Sequence, residues 1–372
     1  MSGDGVVRLA GRILVDEERE LGEAWIVGDR ITLERPTHSG DVTTIEGVVL
    51  PGLVDVHCHI GVTVGGAADD ALAEKQAVAD RDTGVLLVRD AGSAIDTTWV
   101  HARDDLPRLI RAGRFIARPK RYLKGFAREL ATVEELPTAA AEEARAGDGW
   151  VKLIADWIDR ELPGGGDLAP LWPDDVLAAA IDAAHAAGAR VTAHTFAAES
   201  LDGLLAAGLD CIEHGTGMSE RHIEEAARRG VPVVPTLLQI AQFSSIADQG
   251  AEKYPIFAAR MRRMYEERYE QVLRLREAGV PMLVGTDAGG TIGHGSFAEE
   301  CEEMVAAGVP DAAVVASATW VARRFLGAPS IEEGASADVV VYGADPRANI
   351  RVLAHPHHVI LRGVRRAGVS PM

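Results

Sequence analysis

His57 and His59 stand one residue apart at the end of an apolar run, VVLPGLVDV. The two-residue side-chain period of a strand points both imidazoles to one face and Cys58 to the other. Such a pair is a pincer for a divalent cation, because neutral imidazole is a common metal ligand, but a lone HxH is a weak signal. Its weight comes from company. His194 closes ARVTAH, His214 closes GLDCIEH and Asp287 closes VPMLVGTD, each at the C-terminal end of a separate predicted strand. Taken singly, these histidines read equally well as hydrogen-bonded core residues, and Asp287 as a turn or helix cap. Taken together, histidines and an aspartate at so many strand ends read as a metal-ligand set.

Lys152 is the odd residue, since WVKLIAD places a cation inside a strand that otherwise wants burial, where an unpaired ammonium is costly. One reading is a stem that snorkels to the strand end. In the other, desolvation and neighbouring metal ions favour the neutral amine, which can add carbon dioxide to become a carbamate, an anionic ligand able to bridge cations.

These residues need a scaffold that gathers strand ends. From Gly47 to the late 320s, short apolar runs alternate with stretches of helical period, the pattern of a string of βα units. The predicted strands are VVLPGLVDV, GVLLVRD, RFIA, WVKLIAD, ARVTAH, GLDCIEH, VPVVPTL and VPMLVGTD, the count of a (β/α)8 TIM barrel, whose C-terminal strand ends meet at one mouth. Helix candidates such as PDDVLAAAIDAAHAAG, SLDGLLAAG and SERHIEEAARRG each end at a glycine suited to stop a helix. Val6 to Ile45 and Ala337 to Val364 instead alternate in short segments with turn residues, so both termini are expected to build one small β-sandwich domain. The expected organisation is 1–50 and 331–372 in the sandwich and 51–330 in an α/β barrel. The longest excursion, ADWIDRELPGGGDLAPLWP, follows the fourth strand and offers Gly164, Gly165 and Gly166 as permissive backbone.

Composition agrees with an enzyme-sized globular chain: 372 residues, 47% hydrophobic and 25% charged. Lys and Arg total 38 against 56 Asp and Glu, a formal net charge of −18 that repels nucleic-acid phosphates and anionic membranes. Cys58, Cys211 and Cys301 lack CxxC spacing and suit a reducing compartment. With no signal-like N-terminus and no long apolar run, the expected location is cytoplasmic.

PGLVDVHCHI, VKLIAD, VTAHTF, IEHGT and VGTDAGG resemble the ordered motifs of the amidohydrolase superfamily, and GASADVVVYGADP is similar to its usual return into a terminal β-sandwich. The resemblance covers nearly the whole chain and is closest to the imidazolonepropionase-like and prolidase-like (Xaa-Pro dipeptidase-like) branch. It implies a binuclear centre of divalent metal ions, Zn2+ by default, with manganese or iron compatible with the ligand types. By the resemblance His57, His59 and Asp287 hold the more buried ion, His194 and His214 hold the other, and carboxylated Lys152, formed with CO2, bridges them. Imidazolonepropionase proper lacks this lysine, so Lys152 favours the prolidase-like side. The implied activity is hydrolysis of a C–N amide or peptide bond, in a dipeptide or N-acyl amino acid. Metal lowers the pKa of water towards about 7, and Asp287 is the expected proton shuttle. A cyclic-amide hydrolase or a deaminase is the nearby alternative, and a non-catalytic binding homologue the distant one.

The chain departs from prolidase-like relatives after the third strand, where RPKRYLKGFAREL replaces their usual Gly-Gly-His segment. Arg108, Arg111, Arg114, Arg118, Lys120, Arg121, Lys124 and Arg128 follow one another there without an intervening acid. The expectation is that Tyr122, Lys124 or Arg128 touches a small-molecule substrate carrying a carboxylate, with Trp157 and Trp172 as an apolar wall and His294 lining the pocket. The competing reading pairs these cations with the following acidic helix, or uses them in a homo-oligomer contact.

Overall fold

A computed structural model describes residues 5–163 and 165–366, so Gly164 and the last residues of the expected C-terminal segment lie outside the described residues. The parallel strands Leu53–Cys58, Val85–Asp90, Trp150–Ile154, Arg190–Thr195 and Cys211–His214 coincide with predicted runs. They are buried along almost their whole length, as expected for strands covered by helices on one face and packed inward on the other.

Three details differ from the sequence reading. VVLPGLVDV splits at Gly52: Val42–Pro51 belongs to the terminal sheet and Leu53–Cys58 starts the barrel-type sheet. The third strand begins earlier than RFIA, with Arg108–Arg111 pairing to Val85–Asp90, and continues at Ile116–Ala117, which pairs with Trp150–Ile154. Arginines at both ends hid the first piece, because their charges shorten its apolar run to Leu109 and Ile110. VPMLVGTD forms no regular strand, yet Val233 bridges Met282, Cys58 bridges Ala288, and Val56 N–H donates to Val284 O at 3.1 Å. That segment therefore lies between Val233–Val234 and Leu53–Cys58.

The predicted helices form as Asp174–Ala186, Leu201–Ala206 and Glu220–Arg229. Gly230 ends the last of these in the left-handed region at φ 68°, which a side chain would resist. The excursion after the fourth strand is a hairpin, Asp156–Asp159 against Asp167–Pro170. Among the described residues no helix is long and apolar enough to cross a membrane. Cys58, Cys211 and Cys301 are buried and free.

Both termini build one seven-stranded sheet, in which Val339–Tyr342 pairs antiparallel with Val42–Pro51, itself parallel to Val6–Leu14. The expected sandwich thus takes the form of a single sheet buried on both faces. Val339 and Val341 pack with Leu9, Ile13 and Ile26 on one side. Val340 and Tyr342, the alternate positions, join Val85, Met304 and Phe297 in the main core on the other.

Candidate metal centre

Strand ends bring His57, His59, Lys152, His194, His214 and Asp287 together in a buried pocket. Lys152 is 1% exposed, and its Nζ lies 3.2 Å from His57 Nε2. Asp287 Oδ1 is 3.2 Å from His57 Nε2 and 3.0 Å from His59 Nε2. His194 Nδ1 is 3.1 Å from His214 Nε2. One ligand atom from each of His57, His214 and Asp287 falls within 4.8 Å of the others.

Hydrogen bonds on the far side of the rings fix which nitrogen carries a lone pair. His59 Nδ1 lies 2.7 Å from Gly92 O, and a carbonyl only accepts, so the proton sits on Nδ1 and Nε2 is bare. His214 Nδ1 is 2.7 Å from Thr236 Oγ1; that hydroxyl donates to Pro235 O at 2.8 Å and so accepts from the ring, again leaving Nε2 bare. His57 Nδ1 sits 2.7 Å from the Glu213 carboxylate; burial and Lys152 would lower this ring, but Glu213 and Asp287 raise it above the usual imidazole range.

The charges follow from burial and neighbours. Burial pushes His194 and His214 well below the usual imidazole range, with His214 adding to it for His194, His57 for His214 and Lys152 for both, and burial likewise lowers His59. Burial alone would raise Asp287, but His57 above all holds it well below the ordinary carboxylate range. Burial also lowers Lys152, against the pull of Glu213 and Asp287. A bare imidazole nitrogen therefore faces a carboxylate oxygen at 3.0 Å, acceptor against acceptor. His194 Nε2 is in addition buried without a hydrogen-bond partner. A cation among these atoms satisfies the lone pairs, and the mixed nitrogen and oxygen set fits a divalent ion of the zinc, manganese or iron type.

The backbone is shaped for this convergence. His214, Thr236 and Asp287 adopt φ of 67°, 48° and 57°, a left-handed conformation that non-glycine residues adopt infrequently. Gly285 is required by close approach: a Cβ there would stand 2.6 Å from His57 Cβ and 2.8 Å from His57 N.

A sequence model described as the amidohydrolase family matches residues 48–365. The chain belongs to the amidohydrolase family. It is 50% identical over 357 residues to an uncharacterized protein of Mycobacterium tuberculosis, covering 96% of this chain and 95% of that one. A 5-methylthioadenosine/S-adenosylhomocysteine deaminase of Halobacterium salinarum is 27% identical over 395 residues, 94% of this chain and 84% of the other. Among solved structures, a prolidase complexed with N-methylphosphonate-L-proline superposes with a TM-score of 0.80 at 25% identity, covering 98% of this chain and 100% of that one. The fold is thus of TIM-barrel type with mixed α and β content, and the family and its neighbours make this chain a hydrolase.

In this amidohydrolase the expected substrate contacts separate. A cavity of about 500 Å3 opens over His59, His194 and Asp287, and Tyr122 and Trp157 line it. Their rings are 4.9 Å apart, and Trp157 is 5.5 Å from the His194 ring. Lys124 and Arg128 are not among its lining residues. Arg128 is instead held by Glu142 and by Glu143, the latter at 3.1 Å, because the acidic helix Leu136–Ala146 packs beside it. Arg108 and Arg111 are likewise paired, with Asp338 at 2.7 Å and Asp148 at 2.9 Å. His294 lies outside the cavity lining, its Nδ1 2.8 Å from buried Asp80 and its Nε2 3.4 Å from His59 O, so it braces the backbone behind His59. Trp172 is buried and donates to Ile154 O at 2.8 Å, a support for the fourth strand.

Sequence reasoning missed the layer beneath the ligands. Arg89 and Glu213 are fully buried and bonded to each other, and Thr192 also donates to Glu213. Burial would raise Glu213, yet Arg89 and His57 hold it well below the carboxylate range. The signal was present as one charge of each sign inside the apolar runs VLLVRD and CIEH. Asp55, which accepts from Thr286 Oγ1 at 2.6 Å and His57 N at 3.0 Å, ties the first strand to the Asp287 segment.

Proposed function

We propose that this chain is a metal-dependent hydrolase of C–N amide bonds. The observation that carries the reading is the buried convergence of His57, His59 and His214 on an ionised Asp287, with the far nitrogens of His59 and His214 already committed and their Nε2 atoms bare. In this reading His57, His59 and Asp287 would hold one divalent ion and His194 and His214 the other, with Lys152, as its carbamate, a ligand to both. Bound zinc supplies a water that ionises near neutral pH and polarises the scissile carbonyl.

The chain's own groups do the rest. Asp287 takes the proton of the attacking water as its oxygen bonds to the carbonyl carbon, then delivers that proton to the leaving nitrogen as the C–N bond breaks, giving a carboxylic acid and an amine. Glu213, paired with Arg89, sets a carboxylate 2.7 Å from His57 Nδ1 and so favours a proton on that side of the ring. The aromatic cavity gives the reacting carbonyl a largely apolar surround.

The same reading takes the barrel as closed through the 280–288 segment, which the bridges to Val233 and Cys58 support. It takes 51–330 as the catalytic domain and the terminal segments 1–50 and 331–372 as a supporting one. A dipeptide or N-acyl amino acid would bring a carboxylate into the cavity, and the cations expected to meet it are elsewhere. Deamination is the second reading, favoured by the 27% identity to the Halobacterium salinarum deaminase.

Chelator-stripped protein restored with zinc and bicarbonate, screened against linear amides, cyclic amides and aminopurines, tests the proposal. Metal-dependent release of an acid and an amine supports it. Metal-dependent ammonia release from aminopurines alone would replace it with the deaminase.

A further inference from the structure

The cavity over the centre is large enough for a small organic substrate, about 500 Å3, and its wall is aromatic: Phe115, Tyr122, Phe126, Trp157 and Phe196. Phe196 is 4.1 Å from the His194 ring and Phe115 is 5.2 Å from His59, so this apolar wall begins at the ligands themselves. It continues outward to Val64 and Leu123, which line the mouth and are 74% and 47% exposed. The lining also carries the neutral polar groups Gln239, Gln242, Ser245 and Gln249, from the helices Leu237–Ala241 and Phe243–Gly250 and the residue between them.

Among the described residues lining the cavity there is no lysine or arginine, and Asp287 is the one carboxylate. Arg118, Lys120, Arg121 and Arg160 surround a different cavity, which shares Ile158 with this one. There Arg121 is 2.7 Å from Asp159, and Glu161 adds a second acid, so the local positive charge is partly offset. A carboxylate seated against this aromatic wall, to the side of the ions proposed at the cavity floor, loses its hydration and meets no lysine or arginine, whereas an amide or ester of the same shape loses far less.

Resting on the amide-hydrolase reading, we propose that the substrate is an uncharged amide bearing an aromatic or bulky branched apolar group, with a neutral polar remainder met by the glutamines of the two helices. The site selects against a free carboxylate beside the scissile bond. Specificity then comes from apolar complementarity on one wall and carboxamide hydrogen bonding on the other.

The test uses the full chain loaded with zinc. N-acetyl-phenylalanine, its carboxamide and its methyl ester are compared by kcat/KM for acetyl release and, independently of turnover, by calorimetric binding to Asp287→Asn. The carboxamide and ester are expected to exceed the acid by at least about tenfold in both. Gln242→Arg, which places a cation on the wall, is expected to shift the ratio towards the acid. An acid that binds and reacts as well as its neutral partners overturns the proposal. Preferential binding of the neutral compounds without cleavage of any amide supports the ligand class and counts against the hydrolytic reading, so the two failures are distinguishable.

Discussion

Asp287 holds its carboxylate against two imidazoles from a left-handed backbone position at φ 57°, a conformation kept only because the surrounding bonds fix it, among them Asp287 N–H to His57 O at 2.7 Å. Asp287→Asn preserves that shape and an oxygen ligand but cannot accept the proton. Metal content by elemental analysis is expected to stay within about twofold of wild type while kcat falls by about 100-fold or more. Full turnover in the variant would remove Asp287 from proton transfer. Lys152→Ala is expected to lose metal and activity together, and millimolar acetate to restore part of both by filling the place of the carbamate. A variant that keeps wild-type metal content would exclude Lys152 as a ligand. These residues were legible in the sequence because each ends, or interrupts, an apolar run. Arg128 follows the competing reading of the cation run, in which it pairs with the acidic helix that follows, here through Glu142 and Glu143.

At the scale of elements, the helices over the cavity are fastened by a buried carboxylate. Glu300, on the helix Phe297–Ala306, accepts from Leu237 N at 2.7 Å and Leu238 N at 2.8 Å. Burial pushes its pKa from the usual 4.5 up to about 8, although those two bonds pull it down. The folded chain therefore binds this proton more tightly than the unfolded chain. The associated stability is complete below the usual value and is lost as pH rises through about 8. Thermal midpoints of wild type and Glu300→Gln are expected to diverge, with wild type losing more between about pH 5 and pH 8.5 than the variant. Parallel pH profiles would show that Glu300 titrates near its ordinary value. Most strands were readable from apolar runs closed by a functional residue. VPMLVGTD was readable as a segment but not as an irregular one, because Gly285 packs against His57 across the fold. Of the cavity wall, Tyr122 and Trp157 were readable from the sequence, whereas Phe115, Phe196 and Gln242 come from distant segments whose meeting depends on tertiary structure.

Across the whole molecule, the terminal sheet and the barrel-type sheets share a core, since Val340, Tyr342, Val359 and Leu361 pack in one cluster with Val85, Met304 and Phe297. The full chain is expected to melt in one cooperative transition. A chain ending at residue 330 would leave that apolar face uncovered and is expected to show neither a sigmoidal melt nor metal binding. Cooperative unfolding of the shortened chain would make the terminal sheet an independent appendage. The most direct test of the central claim is metal stoichiometry. Protein prepared with zinc and bicarbonate, freed of loosely held ions and analysed by elemental mass spectrometry, is expected to retain about two ions per chain. Retention of one ion at saturation, or of none, would contradict the binuclear centre.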